Sequence, residues 1–189
     1  ILADGGHGSR SSTDLALVLE MLWRVRSGME TLRLAVPDPL AAALDRGTAM
    51  LKLLTLGDGG LAGFGLGAWP VPHWARLDEK SAGAERPGVQ IARQSGYLRL
   101  EQGASVVILD GGGGVTHHGL GFEWSHGTHR IVVSCGCPAS ADSRWTVAAQ
   151  SVQAHSGLEA HWPDGSGGSS WFGRSKEGVE SVTFRSAST

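Results

Sequence analysis

Residues 1–60 carry apolar side chains at the i, i+3, i+4 spacing of amphipathic helices. The pattern predicts a first helix that begins after the N-cap candidates Ser11–Thr13 and ends at Gly28. A second helix is predicted from Pro39, a residue tolerated in a first helical turn, to a stop at Gly57. Two helices alone bury too little surface to be stable, so this helical hairpin needs another layer. The apolar stripes are Leu15, Val18, Leu19, Leu22 and Val25 in the first helix, and Leu40, Ala43, Leu44, Gly47, Leu51 and Leu54 in the second.

From residue 95 onward the pattern changes to the alternation of side chains that β-strands show. Phe122 and Trp124 alternate with glycine or polar residues, and a Gly-containing turn follows, which predicts a β-hairpin. Short strands separated by glycine-rich turns indicate an antiparallel β-sandwich. The predicted strands are Gly96–Glu101, Ala104–Asp110, Gly121–Ser125, Arg130–Gly136, Trp145–Ala149 and Val179–Arg185.

These patterns predict an α+β protein in three parts. Residues 1–60 form a helical segment, residues 61–94 an irregular linker, and residues 95–189 an incomplete β-sandwich domain. The chain begins at Ile1, without a methionine or the basic region of a signal peptide. We therefore expect a fragment or a processed piece, whose ends do not reveal where the protein resides.

Charge and hydropathy exclude some classes of partner. The formal net charge of −2 gives no electrostatic basis for binding nucleic acid. No apolar run reaches the ~18 residues of a bilayer-spanning helix, so membrane insertion is not expected. The chain also lacks a G-x-S-x-G segment, which argues against a Ser/His hydrolase.

Candidate chemistry concentrates where a glycine run meets a strand. His117 and His118 stand between Gly111–Gly114 and the first strand of the hairpin, so the sheet would hold two imidazoles at one edge. The glycine run lacks the Lys-Ser/Thr pair of a phosphate-binding loop. Cys135 and Cys137 are separated by one residue, which would strain a disulfide, and free thiols at a strand end are expected.

Five segments, in order along the chain, carry a family resemblance. They are Asp4–Ser11 before the first helix, the Gly57–Ala62 turn, the Ser95–Leu100 strand, the His117–Ser125 hairpin segment and Gln153–Ser156. Their letters, DGGHGSRS, GDGGLA, SGYLRL, HHGLGFEWS and QAHS, resemble segments of bacterial heparinase II/III-like proteins. One such match would be weak, but five in the right order over most of the chain are fairly specific.

The resemblance implies the end of an α/α toroid that leads into an antiparallel β-sandwich, in agreement with the helix-then-strand pattern. It also implies a lyase that cleaves an acidic, uronate-containing polysaccharide by β-elimination, in the cell envelope or periplasm of a bacterium. That reaction needs a group that neutralises the substrate carboxylate, a base for the C5 proton, and an acid for the leaving oxygen.

The resemblance assigns site residues as well. His7 and Arg10 fall where the family places groups near the substrate carboxylate, and a guanidinium suits bidentate binding of a carboxylate. His118, or its neighbour His117, falls at the histidine of the sandwich that reaches the toroid cleft. Related lyases use a tyrosine as base and acid, whereas the one tyrosine here, Tyr97, belongs to a different segment and is expected in the core.

Some members of this family bind a metal, usually zinc, through two histidines and an acidic residue of the sandwich. Here the histidines would be His117 or His118 together with His155, while Ser134 stands at the acidic position and Cys135 is its neighbour. A thiolate can replace a carboxylate at zinc, but adjacent strand residues point to opposite faces. The residues themselves establish no cofactor, and zinc is the one that the resemblance implies.

Each candidate also has a simpler structural explanation. His7 lies between glycines and is compatible with an exposed loop residue, and Arg10 is compatible with a salt bridge to a carboxylate on a neighbouring loop. The rival hypothesis for the whole chain is a non-catalytic carbohydrate-binding or structural cell-envelope protein on the same scaffold. The lyase hypothesis requires His7 and His118 to lie on one shared groove.

Overall fold

The computed structural model describes residues 1–64, 88–112, 121–135, 144–145, 148 and 154–156. In these ranges two helices are followed by the five strands of one antiparallel sheet. This order confirms the predicted α+β class, a helical hairpin followed by antiparallel strands. Neither of the two described helices combines the length and the apolarity that crossing a bilayer requires.

The two helices form where the apolar spacing predicts them. Helix α1 spans Ser12–Thr31 and begins at a predicted cap, since the Ser11 side chain accepts a hydrogen bond from the Asp14 amide. It continues past Gly28, because a single glycine lowers helix stability without ending a helix. Helix α2 spans Asp38–Leu53 and has a proline in its first turn, as predicted.

The sheet is a meander in which each strand pairs with the next one along the chain. The pairing places Tyr97 opposite Asp110, and Asp110 opposite Gly121. One end of the sheet therefore collects the start of the second strand, the end of the third and the start of the fourth. The strands are β1 Gly88–Ala92, β2 Tyr97–Gln102, β3 Ser105–Asp110, β4 Gly121–His126 and β5 His129–Val132.

The core lies between the helices, the segment that follows α2, and one face of the sheet. That segment folds back on itself through an isolated bridge between Thr55 and Leu61. Within the core Leu19 of α1 packs against Gly47 of α2, where an added Cβ would lie 3.1 Å from Leu19 Cδ1. The buried apolar side chains include Leu15, Leu19, Leu44, Met50, Leu54, Leu61, Phe64, Tyr97, Val106 and Ile108.

The two faces of the sheet differ in polarity. The face toward the helices carries buried polar side chains, among them Asp110, Glu123 and Ser125, each no more than 1% exposed. The alternation predicted for β4 is therefore real, but the polar positions are the buried ones, while Phe122 is 36% exposed. The exposed large apolar side chains of the opposite face include Val89, Ile91, Leu100 and Phe122.

Some predicted elements differ from the structure or lie outside the described ranges. Strand β1 begins at Gly88, inside the stretch 61–94 that the sequence suggested was irregular. Trp145 and Ala148 are helical, so the strand predicted over Trp145–Ala149 is wrong, because a short apolar run does not distinguish a strand from a helix. The strand predicted over Val179–Arg185 lies outside the described residues, and the domain boundaries stay predictions.

Candidate functional site

The loop before α1 is tied to the turn between β1 and β2 through Asp4. Oδ2 of Asp4 accepts hydrogen bonds from the Gln94 amide at 2.9 Å, the Ser95 amide at 2.6 Å and the Ser95 hydroxyl at 2.9 Å. Partial burial raises the pKa of Asp4, but these hydrogen bonds and one from the Gly6 amide outweigh it and hold the pKa below its usual value. The loop therefore has a fixed position on the sheet.

His7 lies half-buried in this loop, and its ring is held through one nitrogen. Nδ1 lies 2.7 Å from Ser9 Oγ and 3.2 Å from the Ser9 amide, and the Ser9 hydroxyl donates to Asp14 Oδ2 at 2.6 Å. Nε2 forms no hydrogen bond with any residue of the described ranges. That nitrogen is the one that can face a substrate.

Arg10 points into the protein and forms a salt bridge with Asp110 at the end of β3. Its guanidinium also donates to the Ser95 carbonyl and lies 5.0 Å from the centre of the Tyr97 ring, while the Tyr97 hydroxyl donates to the Arg10 carbonyl at 2.6 Å. The side chains of Arg10 and Asp110 are 10% and 1% exposed. The structure thus shows a salt bridge to a neighbouring carboxylate, and the predicted role of Arg10 at a substrate carboxylate stays a prediction.

This ion pair is buried without being fully satisfied. Burial raises the pKa of Asp110 to about 6, although the charge of Arg10 and the hydrogen bonds from Gly112 and Arg10 act in the opposite direction. Within the described part of the chain, Arg10 Nε and Asp110 Oδ2 have no hydrogen-bond partner. A buried pair of this kind adds little net stability, but removing one member leaves an uncompensated charge in the interior.

Asp110 is also the residue at which the β3–β4 loop begins. The Gly112 amide donates to Asp110 Oδ1 at 3.2 Å, and the Gly111 amide donates to the Gly96 carbonyl at 3.0 Å. Because Asp110 pairs with Gly121 across the strands, both ends of this loop lie beside the Arg10 side chain. The predicted site residues His117 and His118 belong to this loop and lie outside the described residues.

Tyr97 is a core residue, as predicted. It is 2% exposed and stacks on Phe64 with ring centres 5.8 Å apart, and its hydroxyl donates a hydrogen bond to the Arg10 carbonyl. Burial raises the pKa of Tyr97 above its usual value, and the charge of Asp110 adds to this effect. A buried tyrosine whose hydroxyl proton is already donated is unsuited to proton transfer with a substrate.

Glu123 on β4 is a completely buried carboxylate. Oε1 accepts hydrogen bonds from the Gly63 amide at 2.8 Å and the Ser134 amide at 3.2 Å, and Oε2 lies 3.5 Å from a nitrogen of Arg130. Arg130 in turn holds Asp58 of the turn after α2, at 2.9 and 3.2 Å. Burial raises the pKa of Glu123, against the lowering effect of these partners, and the carboxylate fastens the segment after α2 to the sheet.

Of the zinc ligands that the resemblance implies, His155 lies within the described residues and His117 and His118 lie outside them, so the zinc site stays a prediction. Ser134, at the position of the acidic ligand, forms a hydrogen bond through Oγ with His155 Nδ1, and a serine hydroxyl is not a usual zinc ligand. Cys135 is exposed, and its amide donates to the Ala154 carbonyl at 3.1 Å. Across the described ranges, no group of three His, Cys, Asp or Glu side chains could hold a metal ion.

The structure places His155 beside Ser134, and it seats the His7 loop at the base of the β3–β4 loop. The sequence analysis missed the roles of Asp4, Asp110 and Glu123. A signal was present for Asp110 and Glu123, because each is an acidic residue at an inward position of a strand otherwise rich in apolar side chains. Buried carboxylates require partners, and such positions therefore point to an interface.

Comparison with known proteins gives a consistent family assignment. Residues 84–177 match the family model described as heparinase II/III-like, C-terminal. The crystal structure of heparan sulfate lyase HepC from Pedobacter heparinus is similar, with a TM-score of 0.67 and 12% identity over 82% of this chain. The crystal structure of heparinase III is similar as well, with a TM-score of 0.67 and 14% identity over 82% of this chain.

The extent of these matches limits what they describe. This chain spans 30% of the length of the first of those structures and 32% of the second. At these identities the structural likeness shows the fold alone. No curated protein sequence matches the chain. The family model shows that residues 84–177 belong to the heparinase II/III-like family, and the shared fold agrees with this assignment.

Proposed function

We propose that this chain is part of a lyase that cleaves a uronate-containing acidic polysaccharide by β-elimination. The observation that carries the proposal is the seating of the His7 loop on the base of the β3–β4 loop, through Arg10 and Asp110. His118 stands three residues before Gly121, so covalent geometry keeps its Cα within about 11 Å of the Gly121 Cα. Imidazoles from two distant parts of the sequence can therefore share one site.

The reaction assigns a distinct task to each imidazole. His118 acts as the acid/base group: it removes the C5 proton, the electrons of that bond form the C4–C5 double bond, and the C4–oxygen bond breaks with protonation of the leaving oxygen. His7 faces the substrate carboxylate with Nε2, since Nδ1 is held by Ser9. A hydrogen bond from that nitrogen stabilises the negative charge that develops on the carboxylate during proton removal.

The substrate class follows from the family and from the names of the similar structures. One of them is a heparan sulfate lyase and another is heparinase III. We extend to this chain only the class of an acidic glycan that contains a uronate, because β-elimination requires the carboxylate beside the C5 proton. By the same resemblance we propose that the protein acts in the bacterial cell envelope or periplasm, which fractionation of the source cells would test.

The proposal is tested with the full-length protein and a panel of acidic glycans. Elimination creates an unsaturated uronate, whose formation is followed by ultraviolet absorbance. We expect His7→Ala and His118→Ala to lower the rate by about 100-fold or more, while His129→Ala, an exposed residue of β5, leaves it unchanged. Glycan binding without any product from the unmodified protein would contradict the lyase and support a non-catalytic carbohydrate-binding protein.

A further inference from the structure

We propose that Arg10 and Asp110 form a latch that sets the position of the His7 loop against the base of the β3–β4 loop. Arg10 is then a positioning residue that acts through the placement of the two histidine-bearing loops, and it does not bind the substrate. The inference rests on the proposed function for its catalytic consequence. The latch itself is a structural statement that can be tested without any activity.

The first argument is that the groups packed around the Arg10 guanidinium leave no space for a substrate. Tyr97 lies 5.0 Å from it on one side. Gly112 packs so closely on it that an added Cβ would collide with both terminal nitrogens. Those nitrogens already donate to the Ser95 carbonyl and to Asp110. A substrate carboxylate could bind this group only after the salt bridge and the glycine contact had both been broken.

The second argument is the backbone of Arg10. Its φ of 59° lies in the left-handed region, which L-residues other than glycine, asparagine and aspartate rarely adopt. Two hydrogen bonds hold this conformation. The Tyr97 hydroxyl donates to the Arg10 carbonyl, and the Arg10 amide donates to the His7 carbonyl at 3.0 Å. A backbone strained in this way persists where the structure requires the side chain to point in one direction.

The third argument is where the latch acts along the chain. The His7 carbonyl accepts a hydrogen bond from the Arg10 amide, so a shift of Arg10 moves His7 directly. On the other side, Asp110 holds the Gly112 amide and pairs with Gly121, which are the two ends of the loop that carries His117 and His118. One ion pair therefore fixes both loops relative to each other.

The experiment compares Arg10→Lys, Asp110→Asn and the double variant with the unmodified full-length protein. Arg99→Lys serves as a matched control, because Arg99 also forms a mostly buried salt bridge, with Glu101, but away from the histidine loops. Hydrogen exchange of residues 4–12 and 111–121 is measured together with kcat and KM on an acidic glycan that the unmodified protein cleaves. All variants are first checked for a cooperative unfolding transition.

For a latch we expect faster exchange in both segments, by about tenfold or more, in each single variant and no further increase in the double variant. We also expect kcat to fall by about 100-fold in all three, with KM little changed, because displaced catalytic groups slow the chemical step. Arg99→Lys leaves exchange in these segments unchanged. A protein without lyase activity removes the proposed function but still permits the exchange test.

Two results would overturn the latch. One is a rise in KM for Arg10→Lys with near-normal kinetics for Asp110→Asn, which identifies Arg10 as a substrate ligand. The other is unchanged exchange of residues 111–121 in Asp110→Asn. If Asp110→Asn loses the unfolding transition, Asp110→Glu replaces it, because it keeps the charge but misplaces the carboxylate. For a latch, both segments of this variant exchange faster than in the unmodified protein and in Arg99→Lys, and unchanged exchange would contradict the latch.

Discussion

Single buried polar side chains join the helical part of this protein to its sheet. Ser12 Oγ donates to the Ala62 carbonyl at 2.6 Å, and the Gly57 amide donates to Ser125 Oγ at 2.9 Å. Arg10 with Asp110, and Glu123 with the Gly63 amide, add charged contacts of the same kind. Since a buried polar group without its partner is costly, these contacts fix where the two parts meet.

The Asp110 carboxyl gives this interface a pH dependence. Arg10 from the first loop and Tyr97 from β2 are the ionisable groups that face it. Because its pKa in the folded protein, about 6, lies above the ordinary aspartate value of 3.8, the folded state holds a proton between these values that the unfolded state has lost. The contribution of Asp110 to stability therefore falls as the pH rises from about 4 to 6.

The measurement is the free energy of unfolding by urea between pH 4 and 6.5. We expect the slope against pH to be more negative in the unmodified protein than in Asp110→Asn, whose amide does not titrate, while Glu123, whose pKa is also raised, contributes equally to both. Glu101→Gln is a control, because Glu101 lies outside this cluster and pairs with Arg99. Equal slopes for the unmodified protein and Asp110→Asn would show that Asp110 ionises normally.

Ser134 allows a test of the predicted zinc site. Ser134→Asp places a carboxylate beside His155, and together with His117 or His118 it completes the ligand set that the family resemblance implies. In the absence of metal this variant is expected to be less stable than the unmodified protein, because the new charge lies near the buried Glu123. Zinc is then expected to raise its melting temperature by several degrees.

Ser134→Asn is the matched control, since it has the size of the aspartate variant without its charge. Neither this variant nor the unmodified protein is expected to gain stability from zinc. Melting temperature and bound zinc per chain are measured for all three proteins. Stoichiometric zinc in the unmodified protein would contradict the assignment of a hydrogen bond in place of a metal.

What the sequence could predict at this scale depended on distance along the chain. The Ser11 cap and the core position of Tyr97 follow from neighbouring residues and were predicted correctly. The carboxylate that pairs with Arg10 is 100 residues away, and the Gly63 amide that Glu123 binds is 60 residues away. No local pattern selects one carboxylate or one amide among many at such separations, so these contacts required the structure.

At the scale of elements, glycines with positive φ form the tight turns that position neighbouring strands. Gly96 joins β1 to β2 with a φ of 77°, and its amide donates to the Ala92 carbonyl at 2.7 Å. An added Cβ there would collide with the backbone of Gly112 at the base of the β3–β4 loop. Gly103, between β2 and β3, has a φ of 57° but open space around it.

This contrast makes a paired prediction. Gly103→Ala is expected to cost about 1 kcal/mol, the usual penalty of a left-handed L-residue. Gly96→Ala is expected to cost about 3 kcal/mol, because the backbone that it meets cannot move aside as a side chain can. Urea unfolding of both variants measures the difference. Equal losses would show that the contact between the β1–β2 turn and the β3–β4 loop is loose.

The elements themselves were largely predictable because their patterns are local. Both helices and the strands β2, β3 and β4 lie where the apolar spacing places them. Strand β1 was missed because Gly88–Ala92 is short and follows a polar stretch. Its assignment depends on pairing with β2, and the sequence of β1 by itself does not reveal that contact.

At the scale of the whole molecule, the sheet separates two environments. The face toward the helices contributes Tyr97, Val106 and Ile108 to the core beside buried polar side chains, while the opposite face carries several large apolar side chains that are exposed within the described part of the chain. A soluble protein rarely leaves such a patch open to water. A β-sandwich buries one face of each sheet against the other sheet, and the apolar face is the one that suits this purpose.

Ile91 tests whether a second layer covers this face, because its strand pairing places it in line with Phe122. In the described structure its side chain is 56% exposed, and a change at so exposed a position usually alters stability by less than about 0.5 kcal/mol. If another layer packs on the face, Ile91→Asp buries a charge among apolar side chains and is expected to cost more than about 2 kcal/mol. Thr128→Asp, at an exposed position of the β4–β5 turn, controls for the added charge. Urea unfolding of the full-length protein decides between these outcomes, because equal small losses in both variants would mean that the apolar face meets water rather than a second sheet.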